Sequence, residues 1–377
     1  MLATSRSARG LAERLAVEIA LQEASEHALE HRLGLARRVV AFAAVAEPVR
    51  TGLVVGSTAL RRFCPRSDLD IALILDGVGD RPPFESCDID GVHVEIERVT
   101  WPRALSLTQG DGWTWELRSA SRLGCGLPVF DPDGSATLIR DRSVAQQPDG
   151  QRWESTLRDV YLGLVALGDR GALGAEHGET LRGIFDNLAL LTLLTDPRRY
   201  QKPKWALADL MHAGQAALVE AMLECYGVRS GTVKATVATI ERTQALVAAL
   251  YAAIGMPTHE ALLAMGHAPQ FAEASYVSRT LGDAEDLAAS GRRLESQYVA
   301  KFAARRAAAL AGPPHSTGSL LIALEALDAS LAALYCEVFA DALAPRRRHL
   351  KAALACADFL LDLTARRTGR HAERICA

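Results

Sequence analysis

The stretch that decides the fold is Leu53–Leu75, which reads LVVGSTALRRFCPRSDLDIALIL. An apolar run ends in a Gly-Ser pair, a polar turn follows, and a second apolar run carries Asp68 and Asp70. Short runs rich in Val, Ile and Leu, separated by turn residues, are typical of strands. The pattern therefore predicts one strand at Gly52–Val55 and a second at Asp68–Leu75.

The two acids are predicted to lie side by side on one face of the second strand. Residues two apart along a strand face the same side, about 6.6–6.8 Å apart, so Leu69 and Ile71 belong to the opposite, core-facing side. Asp68 and Asp70 favour a bound cation, because two neighbouring carboxylates without a counter-charge are costly to bury. An all-oxygen ligand set indicates Mg²⁺ or Mn²⁺ rather than zinc. Two such ions, roughly 3.5–4 Å apart, can hold both the attacking and the leaving oxygen of an in-line phosphoryl displacement.

The Gly-Ser pair supplies the expected anion-binding half of the site. Gly56 lets a phosphate approach the backbone without a Cβ in the way. Ser57 opens a predicted short helix, Thr58–Arg62, whose free N–H groups suit an anion. A Gly-Ser pair alone is a weak signal, but here the acids follow Ser57 by 11 and 13 residues, on the next predicted strand.

A third acidic segment follows in a predicted hairpin. Phe84–Asp90, a Gly91 turn and Val92–Val99 have the alternation of paired strands. Glu95 and Glu97 share one face of the second arm. Glu95 is the preferred third carboxylate because both its neighbours are apolar, whereas Glu97 precedes an arginine. The sequence leaves the choice between them open.

Together these segments resemble the active site of the DNA polymerase β-like nucleotidyltransferase superfamily. The family pattern is a Gly-Ser pair, a turn of about ten residues, Ser-Asp-x-Asp and a later acid between apolar neighbours, and the chain matches it in each part. In layout the chain is most similar to the kanamycin and aminoglycoside nucleotidyltransferase-like proteins. It departs from the pattern at Arg61, where relatives usually carry Gly, and in having Glu rather than the commoner Asp as third acid. The matching residues are Gly56, Ser57, Ser67, Asp68, Asp70 and Glu95.

The resemblance implies a Mg²⁺- or Mn²⁺-dependent enzyme that transfers a nucleoside monophosphate from an NTP, expected to be ATP, to an acceptor and releases pyrophosphate. Asp68 and Asp70 would hold the metal, and Glu95 would complete its shell and take the acceptor's proton. The expected acceptor is a small molecule, either an antibiotic or a secondary metabolite. Two alternatives stay open: a protein-modifying nucleotidyltransferase, and a non-enzymatic antitoxin or scaffold that keeps the fold. The residues expected to contact the nucleotide are Gly56, Ser57 and Ser67.

Composition narrows the class of protein. The chain has 377 residues, 49% of them hydrophobic, and a formal net charge of −3. A general nucleic-acid binder would normally be basic, so that class is disfavoured. The seven cysteines form no CxxC pair, which predicts reduced thiols. With no evident signal peptide or long uncharged apolar run, we expect a cytoplasmic protein without a membrane span. The oligomeric state is not predicted.

The sequence predicts an α+β fold in two domains, divided near Gln146–Gly150. Residues 1–146 would form a palm-like nucleotidyltransferase domain, with one or two N-terminal helices and a small mixed β-sheet. Residues 151–377 are rich in Ala and Leu with amphipathic spacing, which predicts an all-α helical bundle.

Two features of the predicted bundle are candidates for function. Asp196–Trp205, DPRRYQKPKW, is a basic loop between predicted helices, and Lys202 or Lys204 is expected to bind the triphosphate. The alternative is a solvated loop. On the helix before it, Glu179, Arg182 and Asp186 share a face, and they either line an acceptor pocket or form a salt-bridged surface.

Overall fold

The computed structural model describes most of the chain, in two compact units. The sheet unit comprises Ala20–Ser155 and Thr192–Gln201, and the helical unit comprises Met1–Ile19, Thr156–Leu191 and Lys202–Ala377. The described residues are 10–20, 26–63, 67–78, 81–110, 112–169, 173, 177–196, 203–228, 230–255, 274–311, 320–340, 342 and 345–368.

The sheet unit contains a five-stranded sheet in the order β3-β4-β2-β1-β5. β2 and β4 run parallel, and the other neighbouring pairs are antiparallel. The predicted mixed sheet is therefore confirmed, although its nucleotidyltransferase layout stays a prediction. The strands are β1 (Val49–Val54), β2 (Leu69–Leu75), β3 (Phe84–Ile89), β4 (Val92–Thr100) and β5 (Leu127–Phe130).

Helices cover both faces of this sheet. They are α2 (Glu26–Ala46), the one-turn α3 (Gly56–Ala59), α4 (Trp101–Leu107), α5 (Thr114–Gly124) and α6 (Ser135–Ala145), with α1 (Leu11–Ala20) preceding them in the chain. On one face, Val40 of α2 packs in a core cluster with Leu69 and Ile71. On the other, Ala72 and Ile74 share a cluster with residues of α4, α5 and α6. Every residue of β2 is buried, which explains why the strand is apolar except at Asp70. Each fully buried Leu or Ile stabilises the fold by about 1.5–3 kcal/mol.

The β3–β4 hairpin forms where the alternating pattern predicted it. Asp90 and Gly91 have φ angles of 51° and 76°, the left-handed pair that two-residue hairpin turns require. The pairing brings Ser86 opposite Glu95 and Phe84 opposite Glu97. This fixes the register of the edge strand beside β4.

The helical unit is built from helices that largely follow the predicted segments. The helix that the amphipathic spacing predicts at 284–311 is interrupted at Ser290–Arg292. Two further helices, predicted at 203–225 and 316–343, are each divided in two. In the segment 203–225, Gly214, with a φ of 76°, follows the end of the first helix. In the segment 316–343, Asp328 caps the second helix by accepting a hydrogen bond from the Ser330 N–H at 2.7 Å. The helices are α7 (Gly150–Gly168), α8 (Gly178–Leu194), α9 (Pro203–His212), α10 (Ala216–Cys225), α11 (Val233–Ile254), α12 (Ala274–Ala289), α13 (Arg293–Ala308), a 3₁₀ turn (Ala309–Ala311), α14 (Leu320–Leu327), α15 (Ala329–Val338) and α16 (Arg347–Thr368).

The chain division differs in three places from the predicted one. Thr192–Gln201, predicted in the bundle, groups with the sheet unit. The predicted boundary at Gln146–Gly150 falls instead inside α7, between Ser155 and Thr156. Helix α1 groups with the helical unit instead of the sheet, because the Glu220 carboxylate of α10 accepts hydrogen bonds from the first N–H groups of α1, including that of Leu11 at 3.0 Å.

One helix among the described residues, α11, is long and apolar enough to cross a membrane by length and composition. The core helix of a soluble protein passes the same test. Within the helical unit α11 packs against α12, α13 and α15. Its buried residues include Ile240, Leu246 and Leu250.

Candidate functional site

The parallel pairing of β2 and β4 collects acidic side chains on one face of the sheet. In that register Asp70 lies beside Glu95 and Ala72 beside Glu97. Directly paired residues face the same side, and Ala72 belongs to the cluster under α4, α5 and α6. Asp70, Glu95 and Glu97 therefore project from that side, with Asp70 near the N-terminal end of β2.

Asp68 lies immediately before β2 and is exposed. Its charge affects His93, which lies two residues before Glu95 on β4. The pKa of His93 is raised, first because its ring Nδ1 hydrogen-bonds the Asp88 carboxylate at 2.8 Å, and further by the charges of Asp68 and Glu95. Asp68 and Glu95 thus both act on one imidazole. We call Asp68, Asp70, Glu95 and Glu97 the acidic face.

Gly56 is fixed by its closeness to Asp70. It has a φ of 67°, and a Cβ added there would overlap Asp70 Oδ2 and lie 2.9 Å from its Cγ. The preceding N–H, of Val55, donates a hydrogen bond to the Asp70 carbonyl at 2.9 Å. The structure therefore explains this glycine by the carboxylate that it faces. Contact of Gly56 with a phosphate stays a prediction.

The helix after the glycine is shorter than predicted and shifted. It spans Gly56–Ala59 rather than Thr58–Arg62, with Ser57 half-buried in its first turn. Arg61 adopts a φ of 57°, a left-handed conformation that ends the helix. The backbone at Arg61 therefore has the conformation that glycine favours, although the residue is arginine. Its side chain forms an exposed ion pair with Glu26.

Arg32 of α2 holds the segment between β1 and β2 in place. Its guanidinium donates hydrogen bonds to the Ser67 carbonyl at 2.7 Å, the Asp68 carbonyl at 3.0 Å and the Thr58 hydroxyl at 3.2 Å. Its planar group also stacks on Phe63, 4.5 Å from the ring centroid. Arg32 is only 4% exposed. Sequence reasoning missed it, although an arginine next to the apolar stripe of a predicted helix was the available signal.

Arg122 of α5 lies against the acidic face. It forms an ion pair with Glu97, and its Nη2 lies 3.7 Å from Asp70 Oδ1. The side chain is 19% exposed, so this cation is largely enclosed with the carboxylates. Nothing in the sequence pattern pointed to it, because α5 is distant in the chain and contacts the strands only in the folded unit.

The acidic face has the right donors for a hard divalent cation. Carboxylate oxygens are what Mg²⁺ and Mn²⁺ prefer, and Asp70 and Glu95 come from directly paired positions. Within the described part of the chain, no three His, Cys, Asp or Glu side chains are already arranged to hold a metal ion. A complete shell would need Asp68 to join the pair and Arg122 to release Asp70. The residue types fit the predicted cation, which stays a prediction.

The two lysines expected at the triphosphate have different outcomes. Lys202 lies outside the described residues. Lys204, at the start of α9, is buried in the helical unit, where its Nζ lies 2.9 Å from Asp283 and 3.9 Å from Asp286. Trp205 beside it is 3% exposed, with the Arg292 guanidinium 4.4 Å from its ring centroid. The structure thus gives Lys204 acidic partners of its own.

Glu179, Arg182 and Asp186 are not a salt-bridged surface, because they lie in a buried network. Arg305 links the two acids, at 3.0 Å to Glu179 and 2.6 Å to Asp186, and Tyr335 also donates a hydrogen bond to Glu179. Burial alone raises the pKa of Glu179, but the charges of Arg182 and Arg305 together with the Tyr335 hydroxyl hold it below its ordinary value. These contacts indicate a structural role.

No family model matches the chain. No curated protein matches its sequence either. The function is therefore inferred from the acidic face.

Proposed function

We propose that the sheet unit is the catalytic part of a nucleotidyltransferase. It would bind an NTP, with ATP the first candidate, together with Mg²⁺ or Mn²⁺ at the acidic face. An acceptor hydroxyl would attack the α-phosphorus, the bond from that phosphorus to the β-phosphate oxygen would break, and pyrophosphate would leave. The product would be the acceptor carrying a nucleoside monophosphate.

The observation that carries this proposal is the register of Asp70 with Glu95. Two carboxylates from different strands lie beside one another on one side of the sheet, near the exposed Asp68. Clustered like charges are costly unless a cation lies among them. Phosphoryl transfer is the reaction class that uses such a cluster, because it depends mainly on positioning and charge neutralisation.

The chain's own residues would divide the work as follows. Asp68 and Asp70 would hold the cation, with the Asp70 carboxylate kept in position by the Gly56 backbone. Glu95 would accept the proton of the attacking hydroxyl. Arg32, by fixing the carbonyls of Ser67 and Asp68, would keep the loop before β2 rigid. A bound divalent cation would supply neutralisation of the charge that develops on the phosphate oxygens.

The proposed acceptor is a small molecule, and the proposed location is the cytoplasm. The net charge of −3 makes a nucleic acid a poor substrate, since phosphate backbones are bound by clustered Lys and Arg. A protein side chain is the other acceptor to be tested. Pyrophosphate release and product mass should be followed with each NTP, each metal and a panel of aminoglycosides, other hydroxyl compounds and the protein itself.

The third carboxylate can be assigned in the same assay. We expect Glu95→Gln to lower kcat by about 10²-fold or more, the lower end of what a general base contributes. Glu97→Gln, the same change two residues along β4, should leave kcat at saturating NTP little changed, although it removes the carboxylate that anchors Arg122. The opposite ranking would transfer the role to Glu97. If both variants kept the wild-type kcat, neither glutamate of β4 would take part in the reaction.

A non-enzymatic scaffold is the second candidate, and one observation favours it. Arg122 contacts Asp70 and Glu97, as expected where acids are neutralised inside the protein for stability alone. Such a protein would bind no nucleotide in the presence of Mg²⁺. Metal-dependent nucleotide binding therefore separates the two candidates without knowledge of the acceptor.

A further inference from the structure

The Arg122 guanidinium lies among the carboxylates of the acidic face. Its two terminal nitrogens reach both strands of the acidic face, Asp70 of β2 and Glu97 of β4. The Asp70 contact is long for an ion pair, at 3.7 Å, whereas the Glu97 contact is close. The side chain is therefore anchored on Glu97 and reaches toward Asp70 with its other nitrogen.

This arrangement makes the guanidinium and a divalent cation competitors for Asp70. Carboxylates on adjacent strands repel one another unless a positive charge lies among them. Arginine stays protonated at any pH at which the protein is folded, so its charge cannot be lost by titration. Only movement of the side chain can free Asp70 for another cation.

We propose that Arg122 is the internal counter-ion of the acidic face, exchanged for the divalent cation when the metal-nucleotide complex binds. This inference rests on the proposed function. Anchored on Glu97, the displaced guanidinium stays beside the site, where it can bind a phosphate oxygen of the nucleotide. Arg122 thus disfavours metal binding without nucleotide and favours nucleotide binding once the metal is present.

The test is a titration with Mn²⁺ alone, following the free ion by electron paramagnetic resonance, with no nucleotide and no turnover. Arg122→Gln should bind Mn²⁺ about tenfold or more tightly than the wild type. A positive charge beside a carboxylate shifts the equilibrium for binding another cation, the proton, by about one to three powers of ten, and we expect a similar effect on Mn²⁺. Arg122→Lys keeps the charge and should stay closer to the wild type. Arg103→Gln is the control for net charge, because Arg103 is an exposed arginine of α4 in the same unit.

A second titration, with ATP at saturating Mn²⁺, should show weaker nucleotide binding in Arg122→Gln. If Arg122→Gln does not fold, Arg122→Met keeps the aliphatic length and serves in its place. Unchanged or weaker Mn²⁺ binding on removal of the guanidinium would overturn the inference. If Asp70→Asn nevertheless loses Mn²⁺ binding in that experiment, only the inference about Arg122 fails and the proposed function still stands. Absence of Mn²⁺ binding in every protein would overturn both.

Discussion

The α-carbon of Gly56 lies against the carboxylate of Asp70, with no room for a side chain between them. Gly56 begins α3, two residues after β1 ends, and Asp70 is the second residue of β2. The contact joins the predicted phosphate-binding turn to the predicted metal ligand, so the two parts of the motif are one structural unit.

Gly56→Ala tests this contact. Its methyl group would overlap Asp70 Oδ2, and its φ of 67° is unfavourable for alanine. We expect the free energy of unfolding to fall by about 1–3 kcal/mol, measured by urea denaturation. Gly34→Ala in α2 is the control, because an added Cβ meets nothing within 4 Å there. That change should stabilise the helix by up to about 1 kcal/mol. Equal effects of the two changes would contradict the contact.

Arg61→Gly should stabilise the protein. A left-handed arginine costs about 1–2 kcal/mol, of which the greater chain entropy of glycine offsets about 0.5–1. The ion pair that would be lost, with Glu26, is exposed and contributes little. Arg61→Ala loses the same pair but keeps the strained backbone, so it separates the two effects. A thermal midpoint no higher in Arg61→Gly than in Arg61→Ala would contradict this explanation.

Arg32→Ala should destabilise the sheet unit by about 3 kcal/mol or more. It leaves the Ser67 and Asp68 carbonyls without their charged donor, and each such hydrogen bond is worth about 1.5–3 kcal/mol. Arg37→Ala, five residues along the same helix and paired with exposed Glu30, should change stability by less than about 0.5 kcal/mol. Urea denaturation of both variants decides the point. A loss of similar size in the two would show that Arg32 does not fix the loop.

His349 should make the helical unit sensitive to acid. Its Nε2 lies 2.7 Å from Glu224 Oε2, and its Nδ1 lies 3.4 Å from the Cys225 sulfur. Burial raises the pKa of the Cys225 thiol to about 12, so that thiol is protonated and can donate to Nδ1. Burial also lowers the pKa of His349, an effect that the Glu224 hydrogen bond only partly opposes.

Because the folded pKa of His349 is depressed, its stabilising contribution is present above the unfolded value of about 6.5 and is lost as the pH falls through the folded value. The urea concentration at the unfolding midpoint should therefore decrease as the pH is lowered from about 7.5 to about 5.5. This decrease should be smaller in His349→Gln than in the wild type and in His212→Gln, which changes an exposed histidine of α9. An identical pH dependence in all three would rule out His349 as its source.

The sequence predicted those parts of the site that depend on local pattern. Asp70 and Glu95 could be assigned to one face because strand alternation determines side-chain direction. The other residues of β2 are apolar because helices cover both faces of the strand. Arg122 could not be found this way, since it reaches the site from a helix distant in the chain. Arg32 left only the weak signal of an arginine beside an apolar stripe. Lys204 was predicted from the basic residues around it. The sequence cannot show that Asp283, distant in the chain, forms an ion pair with this lysine.

The central claim is that Asp70 holds a metal-nucleotide complex at the acidic face, and calorimetric titration with ATP in the presence of Mg²⁺ tests it most directly. Asp70→Asn is compared with Asp76→Asn, the same change just after the other end of β2, on an exposed aspartate paired with Arg50. We predict that the wild type and Asp76→Asn bind ATP alike, and that Asp70→Asn binds it about tenfold or more weakly, the loss expected for one charge-assisted contact. Equal affinity in Asp70→Asn and Asp76→Asn, or no Mg²⁺-dependent binding in the wild type, would contradict the account.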